Sequence, residues 1–287
     1  MNAPLRLTEA RAPLMHDIEV RDEFAQRRRI SIPAERALTL YVDKRELVTL
    51  MTLGAAPELL VLGYLRNQRL VPSLDAIASV TVDWEVGAAA VLTRSGIDAI
   101  EARTAKRVVT TGCGQGTVFG DLMAEIDAVR LAPPDDPDGR ISQAALYGLL
   151  DAMRQQESTY KSAGSVHGCA LFCRHELLTF VEDVGRHNAI DTIAGWMWVN
   201  DVSGRDKTFY TTGRLTSEMV IKSAQMGVAS IVSRSGITQM GYEIAKRLGM
   251  CLFGRATNKH FICYSGFDRF DAEPARAGAA LPRSGMQ

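Results

Sequence analysis

KTFYTTGRLTSEMVIKSAQMGVASIVSRSG, residues 207–236, is the stretch whose reading decides the fold. KTFYTTG has the β-branched and aromatic content of a strand, TSEMVIKSAQMG spaces its apolar residues as a helix does, and ASIVSRSG returns to a strand. Strand, helix and strand in that order predict a βαβ unit with a parallel pair. The rhythm extends outward in both directions. TQMGYEIAKRLGM reads as a helix, CLFGRA and HFICYSG as two last strands; upstream, ISQAALYGLLDAMRQQ and NAIDTIAGWMWV read as helices flanking the paired strands ALFC and LLTFVEDV. Residues 140–266 are therefore expected to form an α/β domain on a mostly parallel sheet.

LAPPDDPDG (131–139), with its prolines and aspartates and no apolar run, marks a boundary. Before it, residues 29–131 read as an α+β subdomain. ALTLYV and ELVTLMTL form a hairpin about Asp43-Lys44, Pro57 to Leu65 a helix, SVTVDWEVGAAAVLT further strands, and VVTTGCGQGTVF a strand running into a glycine-rich loop. Residues 1–28 are polar and aperiodic, and read as a flexible arm; 267–287, rich in Ala, Arg, Pro and Gly, read as a disordered tail. No internal repeat is found.

Lys plus Arg and Asp plus Glu are equal at 33 each, so no general field draws the chain to nucleic acid or to an anionic membrane, and any anion must be met by a local site. A hydrophobic content of 46% suffices for an ordinary core. The first twenty residues hold no apolar run of signal-peptide length, and no stretch reaches membrane-spanning length. Five cysteines at 113, 169, 173, 251 and 263 are odd in number and irregular in spacing, which fits free thiols in a reducing cytoplasm better than a disulfide framework.

Cys113 stands in Gly112-Cys113-Gly114-Gln115-Gly116. Glycines allow a sharp turn and a close approach, which suits a thiol reached from outside. A buried cysteine in a tight turn would have the same composition, and residue type leaves both open. Cys169 and Cys173 fall on one face of a strand without a zinc-type partner pair, and Cys251 and Cys263 sit in apolar strands. Glu182-Asp183-Val184-Gly185-Arg186-His187-Asn188 gathers five ionisable or amide side chains before an apolar helix. Capping by Asp183 or Asn188 explains part of it, and an acid–base network at a polar ligand explains the rest, with His187 able to titrate near neutrality. Three loops repeat one chemistry: Thr212, Gly213, Arg214 and Ser217 in the first, Ser235 and Gly236 in the second, and Phe253-Gly254-Arg255-Ala256-Thr257-Asn258 between the last two strands. At the carboxyl ends of parallel strands such loops favour a phosphate-bearing ligand, although no Walker A or GxGxxG pattern is present.

EDVGRHNAID (182–191), FYTTGRLTSEMVIKSAQMG (209–227), Ser-Val-His-Gly (165–168) and Pro-Ala-Glu-Arg-Ala-Leu-Thr-Leu-Tyr-Val (33–42) together resemble the FdhD/NarQ family of formate dehydrogenase accessory proteins, over about residues 30–266. The resemblance implies a three-layer, cytidine-deaminase-like α/β domain with an N-terminal β-containing subdomain, and a homodimer. It also implies a sulfurtransferase activity. Sulfur is received as a persulfide from a cysteine desulfurase and passed to the molybdenum (or tungsten) bis-guanine-dinucleotide cofactor before insertion into the formate dehydrogenase catalytic subunit. Cys113 matches the persulfide cysteine, and 253–258 matches the segment assigned to the cofactor, for which GDP or GTP would be a mimic. Arg214 and Arg255 are then anion partners, and Asp183, Arg186, His187 and Asn188 supporting residues. The resemblance includes no resident metal, and the paired zinc motifs of deaminases are absent from the sequence. Many members carry Cys-x-x-Cys where this chain has Cys113 followed by Gly-Gln-Gly, which restricts the expected mechanism to a single thiol. A cofactor-binding chaperone without covalent sulfur transfer is the alternative, and a nucleotide-processing enzyme on the same scaffold a third.

Overall fold

The structure, a computed structural model, describes residues 4–97, 126 and 129–273. Cys113 and its loop lie outside the described residues.

The βαβ reading of 207–236 holds. Strands β11 (Lys207–Thr211) and β12 (Ser230–Ser233) pair in parallel around helix α5 (Ser217–Gln225), and β12 pairs in parallel with β13 (Cys251–Thr257) after helix α6 (Gln239–Arg247). The remaining pairings of this six-stranded sheet are antiparallel: β9 (His167–Cys173) with β10 (Glu176–Asp183), β9 with β11, and β13 with β14 (His260–Ser265). The sheet is thus mixed rather than mostly parallel. The turns 174–175 and 258–259 are too short for a crossover, so each forces a hairpin.

Helix α2 (Gln143–Gln155), followed by the single turn α3 (Thr159–Ser162), covers one face of the sheet through Leu146, Leu149 and Leu150, packed with Phe172, Tyr210 and Phe253. Helix α4 (Arg186–Val199), α5 and α6 cover the other through Ile190, Ile193, Met219 and Ile244 with Leu171, Phe209 and Leu252. Three layers result, with one apolar cluster on each face of the sheet.

The N-terminal sheet runs β1 (Arg6–Leu7), β6 (Ile77–Asp83), β7 (Ala88–Thr93), β4 (Arg36–Val42), β5 (Arg45–Thr52) in spatial order. Asp43 and Lys44 both take positive φ, 48° and 72°, in the two-residue turn joining β4 to β5. Helix α1 (Pro57–Asn67) fills this sheet with Leu60, Val61 and Leu65, and its other side crosses α4. Gly63 and Gly195 meet at the crossing: a Cβ on Gly63 would fall 1.6 Å from the Asp191 carbonyl oxygen, and one on Gly195 2.0 Å from that of Leu59.

Two expectations at the termini are corrected. The segment read as a flexible arm contains β1, paired with β6, and the hairpin of β2 (Met15–Arg21) and β3 (Arg27–Pro33), so a boundary at residue 29 cuts through a strand. Its two strands are solvated on both faces, which erases the apolar alternation that marks a half-buried strand. The tail from 267 begins ordered: β15 (Phe270–Asp271) pairs with β8 (Ile141–Ser142), and buried Arg269 donates to the carbonyls of Gly139, at 3.0 Å, and Gly249. Among the described residues no helix is long and apolar enough to cross a membrane.

Candidate functional site

The polar loops converge where β11, β12 and β13 run out. Thr211 and Ser233 end their strands fully buried and use their hydroxyls on the turns that follow: Gly213 N donates to Thr211 Oγ1 at 3.0 Å, Ser235 N to Ser233 Oγ at 2.9 Å, and Ser233 Oγ to Gly213 O at 2.6 Å. Leu215 N donates to Gly236 O and Thr238 N to Leu215 O, both at 3.0 Å, while Arg255 N donates to Ser235 O at 2.8 Å. The loops after β11 and β12 and the distal part of β13 are thereby locked into one rim.

That rim is cationic. Arg214, Arg234 and Arg255 are exposed on it, Arg255 with φ of 51°. Arg186, buried at the start of α4, lies against the first loop; a Cβ on Gly213 would sit 2.9 Å from its Cδ. His167, half-buried at the start of β9, is held below the usual histidine range, first by burial and then by Arg186 and Arg214. Arg234 stacks over the Tyr160 ring at 5.6 Å. Thr216 Oγ1 is buried with no hydrogen-bond partner among the described residues. Backbone donors, hydroxyls and guanidinium groups at strand ends are the parts from which anion sites are built.

Several predicted residues do other work. Phe253 and Ala256 point into the core under α2, Phe253 packing edge-on against Phe261 and Phe270, so their side chains do not face the rim. Residues 253–257 are strand rather than inter-strand loop, and of the segment only Arg255 and Asn258 are exposed. Gly254 is buried, while Thr257, Ser217, Ser235 and Gly236 are half-buried. Thr212 keeps its backbone on the rim, but its hydroxyl accepts from Gly168 N at 3.1 Å.

Asp183 and Asn188 turn away from the rim to clasp the N-terminal sheet. Asp183 accepts from Thr52 Oγ1 at 2.5 Å, Leu53 N at 3.2 Å, Gly185 N at 3.0 Å and Asn188 Nδ2 at 2.9 Å; Asn188 Nδ2 also donates to Met51 O at 2.7 Å. Burial raises the Asp183 carboxyl against the pull of these hydrogen bonds. Gly185 is the N-cap of helix α4, and neither residue caps the helix through its side chain. Asp183 and Asn188 therefore hold the end of β5 and the turn to α1 in place.

His187, read from the sequence as a supporting residue, is joined by three residues that the sequence reading did not single out, Glu218, Lys222 and Asp191. His187 Nε2 lies 3.2 Å from Glu218 Oε2, Glu218 Oε1 lies 3.8 Å from Lys222 Nζ, and Lys222 Nζ lies 2.7 Å from Asp191 Oδ2, whose Oδ1 accepts from Asn67 Nδ2 at 2.7 Å. The four-residue spacing of His187 with Asp191 and of Glu218 with Lys222 is the signal that could have found them, since it sets each pair on one helix face.

Comparison with known proteins agrees with this architecture. The family model described as FdhD/NarQ family matches residues 33–271. A protein named sulfur carrier protein FdhD from Listeria monocytogenes serotype 4b (strain F2365) is 30% identical over 240 residues, 83% of this chain and 91% of the relative. One of the same name from Bacillus subtilis (strain 168) is 30% identical over 241 residues, 82% and 88% of the respective chains. A crystal structure of a candidate formate dehydrogenase accessory protein from Desulfotalea psychrophila shares the fold with TM-score 0.72 at 23% identity, covering 90% of this chain and all of that one. With the match running through both sheets and the whole cationic rim, the chain belongs to the FdhD/NarQ family.

Proposed function

We propose that this chain is a sulfur carrier for a formate dehydrogenase. Its Cys113 thiolate attacks the outer sulfur of a cysteine desulfurase persulfide and the desulfurase thiolate leaves; the sulfane sulfur now on Cys113 would then pass to the molybdenum or tungsten bis-guanine-dinucleotide cofactor, the substrate, with the Cys113 thiolate leaving and the two electrons supplied by the reduced metal of that substrate, before the cofactor enters the dehydrogenase. In the same reading the protein acts as a homodimer in the cytoplasm, where Cys169, Cys173, Cys251 and Cys263 remain free thiols as they are in this structure. The observation that carries the cofactor half of the proposal is the rim. In a chain of zero net charge, exposed Arg214 and Arg234 follow two adjacent parallel strands and exposed Arg255 lies near the end of the next, with Arg186 and His167 beside the first loop, a cationic arrangement suited to a substrate bearing two pyrophosphates. The relatives' shared name supports the sulfur half.

Incubation with a cysteine desulfurase and cysteine is expected to add about 32 Da, one sulfur atom, to the tryptic peptide containing Cys113. Cys113→Ala is expected to lose the label and to leave formate dehydrogenase inactive. Label retained in the variant, or an active dehydrogenase without it, would overturn the assignment.

The rim carries a prediction of its own. Phosphates bound beside Arg186 and Arg214 offset the cationic field on His167 and raise its pKa from its depressed value. At a pH between the two values the complex therefore holds more protons than the free protein. GDP binding is expected to take up protons at a pH below the ordinary histidine range, and to tighten as pH falls into that window. Calorimetry in buffers of different ionisation enthalpy reads this directly. Proton release, or none, would move the nucleotide away from His167.

A further inference from the structure

Asp191, Lys222, Glu218 and His187 form an alternating row of acid and base between the α1–α4 crossing and the cationic rim. Asp191 is fully buried, Lys222 2% and His187 3% exposed, and only Glu218, in the first turn of α5, approaches solvent. Burying so many charges is a poor route to stability, because apolar residues of the same volume hold a fold as well or better. Charged groups kept in this way beside a ligand-binding rim are candidates for function.

The row has a direction. Its inner end is anchored by Asn67 and Lys222 on Asp191, which leaves Lys222 shared with Glu218 at 3.8 Å. Its outer end is the 3.2 Å contact of Glu218 with His187, the residue after Arg186. We propose that Glu218 positions the His187 imidazole and favours its charged form for sulfur transfer, with Lys222 and Asp191 as positioning residues that orient Glu218. The role rests on the sulfur-carrier reading, but its test does not.

The charged and titratable groups near His187, element by element among the described residues, are Arg186 and Asp191 on α4, Glu218 and Lys222 on α5, and Asp183 on β10. Asp183 is committed to the Thr52–Leu53 clasp, and Asp191 to Lys222 and Asn67. Glu218 is the carboxylate in direct contact with His187 among the described residues, so removing its charge makes protonation of His187 harder.

The experiment is a proton NMR titration of the full chain, with the His187 signal among the five histidines assigned by His187→Gln. Glu218→Gln is expected to lower the His187 midpoint by about one pH unit and Glu218→Asp by less, and the pH profile of sulfur transfer is expected to shift with them. An unmoved or raised midpoint in Glu218→Gln would overturn the proposal. Should that variant fail to fold, an unmoved midpoint in Glu218→Asp would overturn it equally. Because the titration needs no sulfur donor, it reads correctly even if Cys113 proves not to be the carrier.

Discussion

Gly63→Ala is expected to destabilise the protein by more than about 3 kcal/mol, against the sign that helix propensity alone would give. In an exposed helix the same change stabilises by about 1 kcal/mol, because glycine gives up the most conformational freedom on folding. Here the new methyl carbon would lie 1.6 Å from the Asp191 carbonyl oxygen and 2.8 Å from Gly195 N, and neither is a side chain that can swing aside. Helices α1 and α4 would have to separate. Their parting would weaken the bonds that cross with them: Arg66 Nη1 to Ala194 O at 2.9 Å, the Arg66 stack on Trp198 at 5.6 Å, and Asn67 on Asp191. Urea unfolding should show a lowered midpoint with an unchanged slope. A midpoint unchanged or raised would mean that the crossing has room the structure does not show. The same movement would shift Arg186 and His187 at the start of α4, so any folded Gly63→Ala protein should also bind GDP more weakly.

That crossing was not legible in the sequence, whereas the elements it joins were. Between 140 and 266 every predicted strand and helix appears, because each buries one face or is buried whole, and its apolar spacing is then dictated by the fold. The β2–β3 hairpin was missed because neither of its faces is buried. Strand direction was read too simply: alternation of strands and helices implies parallel pairs, but the Arg174–His175 turn leaves no room for a crossover. At the site, the rim followed from hydroxyls, glycines and arginines at strand ends, which is local chemistry. The clasp of Asp183 on Thr52 spans 131 residues, and nothing in residue type distinguishes it from a ligand contact. Phe253 was assigned to the ligand by the segment it belongs to, yet it packs inward, and the irregularity in the β13–β14 pairing between Gly254 and Thr257, where Arg255 takes a φ of 51°, turns Arg255 out.

Lys222→Met should be the most damaging single change in the C-terminal domain, costing about 3–5 kcal/mol. Methionine matches the length of the lysine stem, so the loss is not one of packing. It is the stranding of the Asp191 carboxylate, fully buried at 2.7 Å from the ammonium, with Asn67 the hydrogen-bond donor left among the described residues. Burial already pushes the Asp191 carboxyl up and Lys222 pulls it down, so removing the lysine pushes it further up. The sign then follows. A carboxyl whose folded value lies above its unfolded value keeps its proton in the native state, and favours folding below the unfolded value of about 3.9. It loses that advantage as pH rises towards the folded value. The deficit of Lys222→Met against the parent should therefore be largest at neutral pH and shrink as pH falls towards 4. Adding Asp191→Leu should recover most of the stability, because an apolar pair leaves no charge to compensate, yet it should not recover the His187 titration, since Glu218 would still lack the cation that orients it. A deficit below about 1 kcal/mol, or one independent of pH, would show that Asp191 reaches water or another cation in the native state. Stability regained without regaining the His187 midpoint would separate what the buried row contributes to the fold from what it contributes to the site.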